Sequence, residues 1–470
     1  MNEEKNVSAN MPPPLPANAA WMSGTLFRMA ILFVLVLLFL IPQALIQGVL
    51  SERLQRRNSA VADITSTWGA AQTVCGPVLI VPYRYRVTTQ RSQMVNGQYT
   101  QVPVTEVLTA NAHFLPEDLQ VSGDLKPSVL HRGIYQAVVY GGSIRLSGRF
   151  AVPAFDEWKV ESSDVLWDEA VLTMAVSDLR GAKEAITTKW GGKDLPMAPC
   201  SKLAEFASGV HVKVGKNSWE SGQPVPFEIQ LTLNGSTGIR FIPVGQQTQV
   251  QLSSPWADPS FSGAFLPVER KVGPDGFDAV WKVSYYGREF PQQWTSRDTP
   301  LRFNAATANR AAFGVDLIEV VDTYRYVERA IKYGLLFVVL VFTAFFLYEV
   351  LAPLRVHPFQ YSLVAMALCL FYLALISLSE VIGFGLAYLC SAAAATLMIL
   401  CYSMAVLKRF GRGLLIGVEL AAIYGFLFVI LRLQDYSLLF GTAGLFLALA
   451  LVMYLTRNID WYAREPKSKA

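Results

Sequence analysis

Few residues of this chain combine a type and a position that could do chemistry. The most polar break in a strand-like stretch is Ser177-Asp178-Leu179-Arg180-Gly181, which follows the apolar run from Val171 to Val176. A carboxylate two positions from a guanidinium could line a binding cleft. The same pair also fits a turn in which Asp178 caps the backbone and Arg180 pairs with it locally. We favour the turn and keep Asp178 and Arg180 as candidate functional residues.

Glu419 is the third candidate, because it falls inside a long apolar stretch near the C-terminus. A carboxylate in hydrocarbon is costly unless it is paired, protonated or facing a polar cavity, so it marks a functional site by default. Lys408, Arg409 and Arg412 lie just before the same stretch, and one of these long side chains could reach Glu419. We favour such a pairing over a transport role, because a proton relay usually needs several titratable groups.

The sequence contains no motif of a common catalytic site. Gly-x-Ser-x-Gly, Ser-x-x-Lys, His-Glu-x-x-His and the Walker A loop are all absent. The chain has four histidines, which are His113, His131, His211 and His357. They are widely separated, and histidines of strands and loops usually make ordinary hydrogen bonds. We therefore predict a protein that is not an enzyme and that holds no cofactor and no metal ion.

An aromatic-rich neighbourhood near the end of the central segment allows three interpretations. Trp281, Tyr285, Tyr286 and Trp294 could stack on a sugar ring, form part of a core or dock on a bilayer. We favour the core.

Six long apolar stretches indicate an integral membrane protein. One lies near the N-terminus, at residues 25–47, and five follow one another within residues 331–455. Each has about 18 to 25 residues, which at a rise of 1.5 Å per residue covers the roughly 30 Å hydrocarbon core of a bilayer. We predict one N-terminal span and a five-helix bundle with spans at 331–349, 358–379, 382–406, 413–432 and 437–455.

The basic residues predict the orientation, because short loops rich in Lys and Arg stay in the cytoplasm. Arg355 lies between the second and third spans, three basic residues lie at 408–412, and four follow the last span. On the opposite face the short loops carry only Arg432. Both termini are then cytoplasmic, with a disordered tail at 1–24 and a second tail at 456–470, and residues 51–329 are periplasmic in a bacterium. Arg53, Arg56 and Arg57 do not fit the rule, although long translocated segments tolerate such charges.

The sequence pattern of the central segment, residues 51–329, is typical of a β protein. Short runs rich in Val, Ile, Thr, Tyr and Phe alternate with polar residues and are separated by Gly, Pro, Asn and Asp. This pattern predicts a large all-β, antiparallel sandwich or a pair of sandwiches, with a joint between two subdomains near 179–222. The net charge of +4 has its excess in the cytoplasmic loops, so we predict no nucleic-acid partner.

The two cysteines of the central segment, Cys75 and Cys200, lie in a compartment that permits disulfides. Their separation in the sequence does not establish that they are close in space, so a bridge and two separate buried thiols both stay open. Cys369, Cys390 and Cys401 fall in the spans, where we expect them to pack as small apolar residues.

Several stretches along nearly the whole chain resemble one bacterial family. They are Cys75 to Pro82, Phe261 to Pro267, Tyr326 to Glu349, His357 to Tyr361, Phe371 to Glu380 and Thr456 to Ala463. Together with one N-terminal anchor, a large β-rich insert and five C-terminal spans, they resemble the CreD inner-membrane proteins. The Pro-rich tail that contains Met11 to Pro16 looks like an extension beyond the family pattern.

The resemblance implies an inner-membrane protein under two-component control that contributes to envelope integrity and to tolerance of colicins and β-lactams. It brings no catalytic residues. In the stretch shared with the family, Arg457 can meet anionic headgroups while Trp461 and Tyr462 sit at the interface, so we predict that these three residues anchor the last helix.

Three functions remain open at this point. The leading hypothesis is a non-enzymatic envelope-maintenance protein, set in the lipid bilayer, whose periplasmic domain binds a protein, glycan or lipid of the envelope. The alternative is an enzyme or transporter that acts on an envelope lipid or glycan through Asp178, Arg180 or Glu419. The third is a sensor that passes a periplasmic signal through the bundle to a cytoplasmic partner. The short cytoplasmic loops leave little surface on which such a partner could dock.

Overall fold

The computed structural model describes residues 25–95, 98–216, 219, 222–297, 303–317, 323–351, 356–407, 410–433 and 436–458. The chain forms two compact units. One consists of Met1–Arg56 with Val321–Ala470 and is called the membrane unit; the other is Arg57–Val320 and is called the β unit.

The first helix, α1, runs without a break from Thr25 to Trp68. Its first half is almost entirely apolar, and its second half carries polar residues such as Glu52 and Arg56, which form an ion pair one turn apart. The helix therefore continues for about twenty residues beyond residue 47, through the segment that contains Arg53, Arg56 and Arg57. These arginines belong to a helical extension of the first span.

The β unit contains two sheets. The first has the order β13-β17-β11-β1-β5-β9-β8, and β2 pairs with β1 on one side and with β16 on the other. Its strands are β1 (Gln72–Val95), β2 (Gln98–Phe114), β5 (Val171–Val176), β8 (Ala198–Pro199), β9 (Gly209–Lys213), β11 (Gly238–Ile242), β13 (Pro259–Gly263), β16 (Gln293–Thr295) and β17 (Phe313–Leu317).

The second sheet has the order β14-β15-β12-β3-β4-β10-β6-β7. Its strands are β3 (Asp118–Arg132), β4 (Tyr135–Phe150), β6 (Thr187–Trp190), β7 (Lys193–Pro196), β10 (Val225–Ser236), β12 (Gln247–Ser254), β14 (Glu269–Gly273) and β15 (Gly276–Ser284). A short helix, α2 (Ala305–Arg310), precedes β17 and begins with a capping box at Asn304.

The two sheets share one hydrophobic core, which confirms the predicted sandwich-like all-β architecture. Buried and exposed residues alternate along β12 and β15, because successive side chains of a strand point to opposite faces. The pairing is not purely antiparallel as predicted: β1 pairs with β11 and β3 pairs with β12 in parallel. Chain segments far apart in sequence form these pairs, so no local turn signal reveals them.

The segment 179–222 contributes strands to both sheets, since β6 and β7 belong to the second and β8 and β9 to the first. The aromatic neighbourhood is divided. Trp281 and Trp294 are buried in the core, whereas Tyr286 is 84% exposed and its ring packs against that of Tyr285 at an interplanar angle of 37°.

The described residues of the membrane unit form six helices after the β unit. They are α3 (Thr323–Lys332), α4 (Gly334–Leu351), α5 (Pro358–Ile382), α6 (Phe384–Leu407), α7 (Phe410–Arg432) and α8 (Ser437–Thr456). Among the described residues, α1, α5, α6, α7 and α8 are each long and apolar enough to cross a membrane, and α3 with α4 is a pair bent by 45° that can form a sixth span. A membrane protein with one N-terminal span and a C-terminal helical block is thereby confirmed.

Two glycines set the approach of α6 and α7. A Cβ at Gly413 would meet the backbone and side chain of Met404, and a Cβ at Gly417 would meet Leu400. Small residues at this spacing allow two membrane helices to pack closely.

Candidate functional site

Asp178 and Arg180 are adjacent in the structure and form the cap of a short 3-10 turn at the end of β5. The Asp178 carboxylate accepts bonds from the Arg180 backbone nitrogen at 3.0 Å, Arg180 Nε at 2.9 Å and Arg180 Nη2 at 3.0 Å. It also accepts from the Ala70 nitrogen at 3.0 Å. These four donors, and the Arg180 guanidinium above all, hold the pKa of the Asp178 carboxyl below its usual value.

A glutamine that the sequence did not single out organises the surroundings of Asp178. Gln72, 1% exposed, donates from Nε2 to the carbonyls of Asp178 and Asn234, each at 3.0 Å. Its Oε1 accepts from the Asp178 nitrogen at 3.3 Å. The network thus joins the start of β1, the end of β5 and the end of β10 where α1 enters the β unit. The contacts of Asp178 are those of a structural junction, with its acceptor positions already in use.

Glu419 lies half-buried on α7. Tyr348 of α4 lies close enough to Glu419 for an electrostatic interaction between the two side chains. Among the described residues Glu419 makes no ion pair. Lys408 and Arg409, which we expected to neutralise it, lie outside the described residues, as does the side chain of Arg412. A functional role for Glu419 therefore stays a prediction.

Glu349 of α4 and Glu380 of α5 are two further carboxylates that lie largely buried in the membrane unit. Glu349 is 7% exposed and accepts a bond from the Tyr361 hydroxyl at 3.2 Å. Glu380 accepts from the Tyr324 hydroxyl at 2.9 Å and pairs with Arg53 of α1 at 3.4 Å. Each of these two carboxylates therefore accepts a hydrogen bond from a tyrosine hydroxyl of another helix.

The strongest candidate for binding is a cleft in the β unit, with a volume of about 690 Å³. It opens where β6 and β7 of one sheet diverge from β9 of the other. Its charged lining consists of Lys193, Lys213, Lys216 and Asp168, so ammonium groups outnumber carboxylates by three to one. The three lysines are exposed, which leaves their ammonium groups accessible to a ligand. We call this site the lysine cleft.

A tight turn builds one wall of the lysine cleft. Gly191 and Gly192 have φ values of +53° and +83°, the conformation of a two-residue hairpin turn that glycine adopts readily. The turn pairs Trp190 with Lys193 across β6 and β7. Trp190 is 3% exposed, lines the cleft and packs edge-on against Trp219 at 5.7 Å between ring centroids. Trp190 thus supports the cleft from the core, and the accessible charged groups of the cleft are its three lysines and Asp168.

The sequence contains the residues that line the lysine cleft, but it does not reveal that they lie close together. Gly191 and Gly192 fall within the segment 179–222, which the sequence pattern predicts to be a joint between two subdomains. Lys193 and Lys213 come from strands of different sheets, so only the tertiary fold brings them to one cleft.

The cysteines of the β unit are free thiols. Cys75 pairs with Ala175, Ala175 pairs with Gly209, and the Cys200 nitrogen donates to the Gly209 carbonyl. The two cysteines therefore lie three strand spacings apart, about 14 Å at about 4.8 Å per strand. A disulfide requires Cα atoms within about 7 Å. Cys75 is buried and Cys200 is exposed, so the expectation of two buried thiols is wrong for Cys200.

The histidines of the β unit are dispersed. His113 is stacked on Trp294 at 4.9 Å, and burial lowers its pKa to about 4. His211 Nδ1 lies 2.8 Å from the Cys200 carbonyl oxygen. Within the described part of the chain no three His, Cys, Asp or Glu side chains form a group that could hold a metal ion.

Comparison with known proteins gives the family. The model of the family described as "Inner membrane protein CreD" matches residues 24–462. The inner membrane protein CreD of Escherichia coli (strain K12) is 32% identical over 450 residues, which cover 95% of this chain and 96% of that protein. The chain belongs to the CreD family. The resemblance found in the sequence is thereby confirmed, and the Pro-rich tail lies outside the matched residues.

Membership of the CreD family, together with the apolar helices, makes the chain a multi-pass inner-membrane protein that lies in a lipid bilayer. One of the three interface anchors is described: Arg457 follows α8 and places its guanidinium over the Tyr454 ring at 4.1 Å. Trp461 and Tyr462 lie within the CreD match but outside the described residues, so their part in anchoring stays a prediction.

Proposed function

We propose that this CreD-family protein maintains the cell envelope without catalysing a reaction, and that its β unit binds an anionic envelope component in the lysine cleft. The observation that carries this proposal is the excess of lysines around an open cleft of about 690 Å³. Ligand sites of proteins typically have volumes of about 300 to 1,000 Å³. The contribution to envelope integrity, and to tolerance of colicins and β-lactams, follows from the family resemblance.

The proposal places both termini in the cytoplasm and residues 51–329 in the periplasm. Its support is the distribution of Lys and Arg, which are concentrated in the short loops and the tail on one side of the spans. In this orientation the lysine cleft faces the compartment that contains the peptidoglycan.

The chemistry of the cleft favours a carboxylate- or phosphate-bearing glycan. Three ammonium groups that surround a concave surface raise the local concentration of anions, and the effect weakens with salt. Asp168 is exposed in the same cleft and can accept bonds from hydroxyl groups of such a ligand.

Co-sedimentation with purified peptidoglycan sacculi tests this function directly. The detergent-solubilised full chain is mixed with sacculi at low salt, and the bound fraction is measured after centrifugation. We expect the wild type to sediment with sacculi and the triple variant K193E/K213E/K216E to stay in the supernatant. Raising the salt concentration should release the wild type, because exposed charges are screened.

The matched control is K126E/K159E/K271E, which changes the net charge equally at exposed lysines of the β unit outside the cleft. It should sediment like the wild type. Equal loss of binding by both triple variants would show a nonspecific charge effect and contradict the proposal, and so would a wild type that stays in the supernatant.

A further inference from the structure

A second concave surface lies in the membrane unit, between α6 and α7. It is an open, largely apolar groove with a volume of about 930 Å³. Small residues make it deep, among them Gly385, Ala392, Ala393 and Gly425. Along α6 its lining extends from Gly385 to Leu400. Fifteen helical steps correspond to about 22 Å, which exceeds the roughly 15 Å depth of one leaflet.

One end of this groove carries a cation. Arg432 lies at the last residue of the span Gly413–Arg432, where α7 reaches the edge of the hydrocarbon. Its guanidinium lies over the ring of Phe428 at 5.1 Å, and Phe428 also lines the groove. A Cβ at Gly385 would be 3.7 Å from an Arg432 nitrogen, so the charge is next to the opposite wall as well.

Arg432 is not needed to complete the end of its own helix. The last carbonyl groups of a helix have no partner within the helix and are often satisfied by a basic side chain. Here Arg329 of α3 has this role, since its Nη2 donates to the carbonyls of Ile430 and Leu433 at 3.3 and 3.5 Å. Among the described residues Arg432 forms no ion pair. Its charge is therefore accessible at the mouth of the groove.

We propose that this groove is a binding site for an anionic glycerophospholipid, with an acyl chain along α6 and α7 and the headgroup phosphate against Arg432. An apolar trough that ends in a guanidinium at the membrane boundary is complementary to both parts of such a lipid. This site is independent of the lysine cleft, because all of its residues belong to the membrane unit.

Four single variants distinguish the effect of the Arg432 charge and the effect of the open groove from the general effects of a substitution. R432Q removes the charge and keeps a polar side chain of moderate length. G425L fills the groove, since a Cβ at Gly425 meets nothing within 4 Å. R325Q is the control for charge, because Arg325 is exposed on α3 and does not line the groove. G441L is the control for the added side chain, since Gly441 on α8 also has open space around its Cβ position.

The measurement is native mass spectrometry of the full chain, released from detergent after incubation with equal amounts of phosphatidylglycerol and phosphatidylethanolamine. We expect the wild type to retain the anionic lipid about fivefold better than the zwitterionic one, the ratio expected for one basic residue beside an anionic lipid. R432Q should lower this ratio to about one, G425L should lower retention of both lipids, and R325Q and G441L should match the wild type.

An unchanged lipid ratio in R432Q would overturn the proposal. An equal loss of the ratio in R325Q would also overturn it, because it would show a general effect of positive charge. Dimers of the full chain that G425L dissociates would identify a second copy as the occupant and would contradict the lipid assignment. A thermal unfolding profile like that of the wild type shows that each variant is folded.

Discussion

At the scale of single residues, the carboxylate of Asp178 uses its hydrogen-bond acceptor positions for donors within the fold. The local pairing with Arg180 was predictable because the two residues are only two positions apart. Their link to Gln72 and Ala70 was not, since those residues are more than a hundred positions away. The local sequence predicted the turn. Only the tertiary structure shows that the turn also joins β1, β5 and β10.

Removal of the Asp178 cap should destabilise the β unit. D178A leaves the nitrogens of Ala70 and Arg180 without their acceptor, and we expect a loss of about 1 to 2 kcal/mol in the free energy of unfolding. R180A, which removes only the exposed partner, should cost less than about 1 kcal/mol. Denaturant unfolding followed by tryptophan fluorescence measures both, because eight of the ten tryptophans lie between residues 68 and 294.

The cap should also depend on pH. Because the pKa of Asp178 is lower in the folded protein than in the unfolded chain, its contribution is present above the unfolded pKa of about 4 and is lost as the pH falls through the folded value. The difference in the free energy of unfolding between the wild type and D178A should therefore become smaller in acid. A constant difference between the two proteins from pH 7 to pH 3 would contradict the ion-pair geometry.

The cysteines of the β unit should differ in reactivity. Burial raises the pKa of the Cys75 thiol to about 12, so at pH 8 it is neither accessible nor ionised, whereas Cys200 is exposed. A membrane-impermeant maleimide should modify Cys200 in the native protein and Cys75 only after unfolding. The C200S variant identifies the native label, and a disulfide-linked pair of peptides containing Cys75 and Cys200 would refute the separation derived from the strand register.

At the scale of elements, the length of α1 is the main difference from the sequence analysis. Hydropathy detected the apolar half, because a bilayer imposes a minimum length on a span. The polar half, up to Trp68, has no such constraint. It is fixed by contacts such as the bond from Trp68 Nε1 to the Tyr140 carbonyl at 3.2 Å and the ion pair of Asp63 with Arg132 at 2.8 Å.

The residue after α1 is expected to tolerate only glycine. Gly69 has a φ of +141°, and a Cβ there would lie 2.6 Å from the Asn234 carbonyl oxygen. G69A should therefore destabilise the β unit by about 2 to 4 kcal/mol, from backbone strain and overpacking together. Tryptophan fluorescence during denaturant unfolding again provides the readout.

The matched control is G133A in the hairpin between β3 and β4. Gly133 also has a positive φ, of +63°, but nothing lies within 4 Å of its Cβ position. This variant should lower the free energy of unfolding by only about 1 kcal/mol. If the two variants were equally destabilising, the close approach of Gly69 to β10 would not be a constraint.

At the scale of the whole molecule, the sequence determined the division into an apolar helical part and a β-rich part. A membrane span is visible as a long continuous apolar run, and a half-buried strand as an alternation of apolar and polar residues. The order of the strands does not, because the parallel pairs β1–β11 and β3–β12 depend on long-range packing. The lysine cleft depends on the same packing, since Lys193 and Lys213 lie in different sheets.

The measurement that tests our central claim most directly is survival of a strain lacking this protein under detergent and β-lactam stress. The strain carries the wild-type chain, K193E/K213E/K216E, K126E/K159E/K271E or E419Q, each at equal membrane abundance. We predict rescue by the wild type, by the control triple variant and by E419Q, and no rescue by the cleft variant. Full rescue by the cleft variant with failure of E419Q would contradict the claim and would place the activity in the membrane unit.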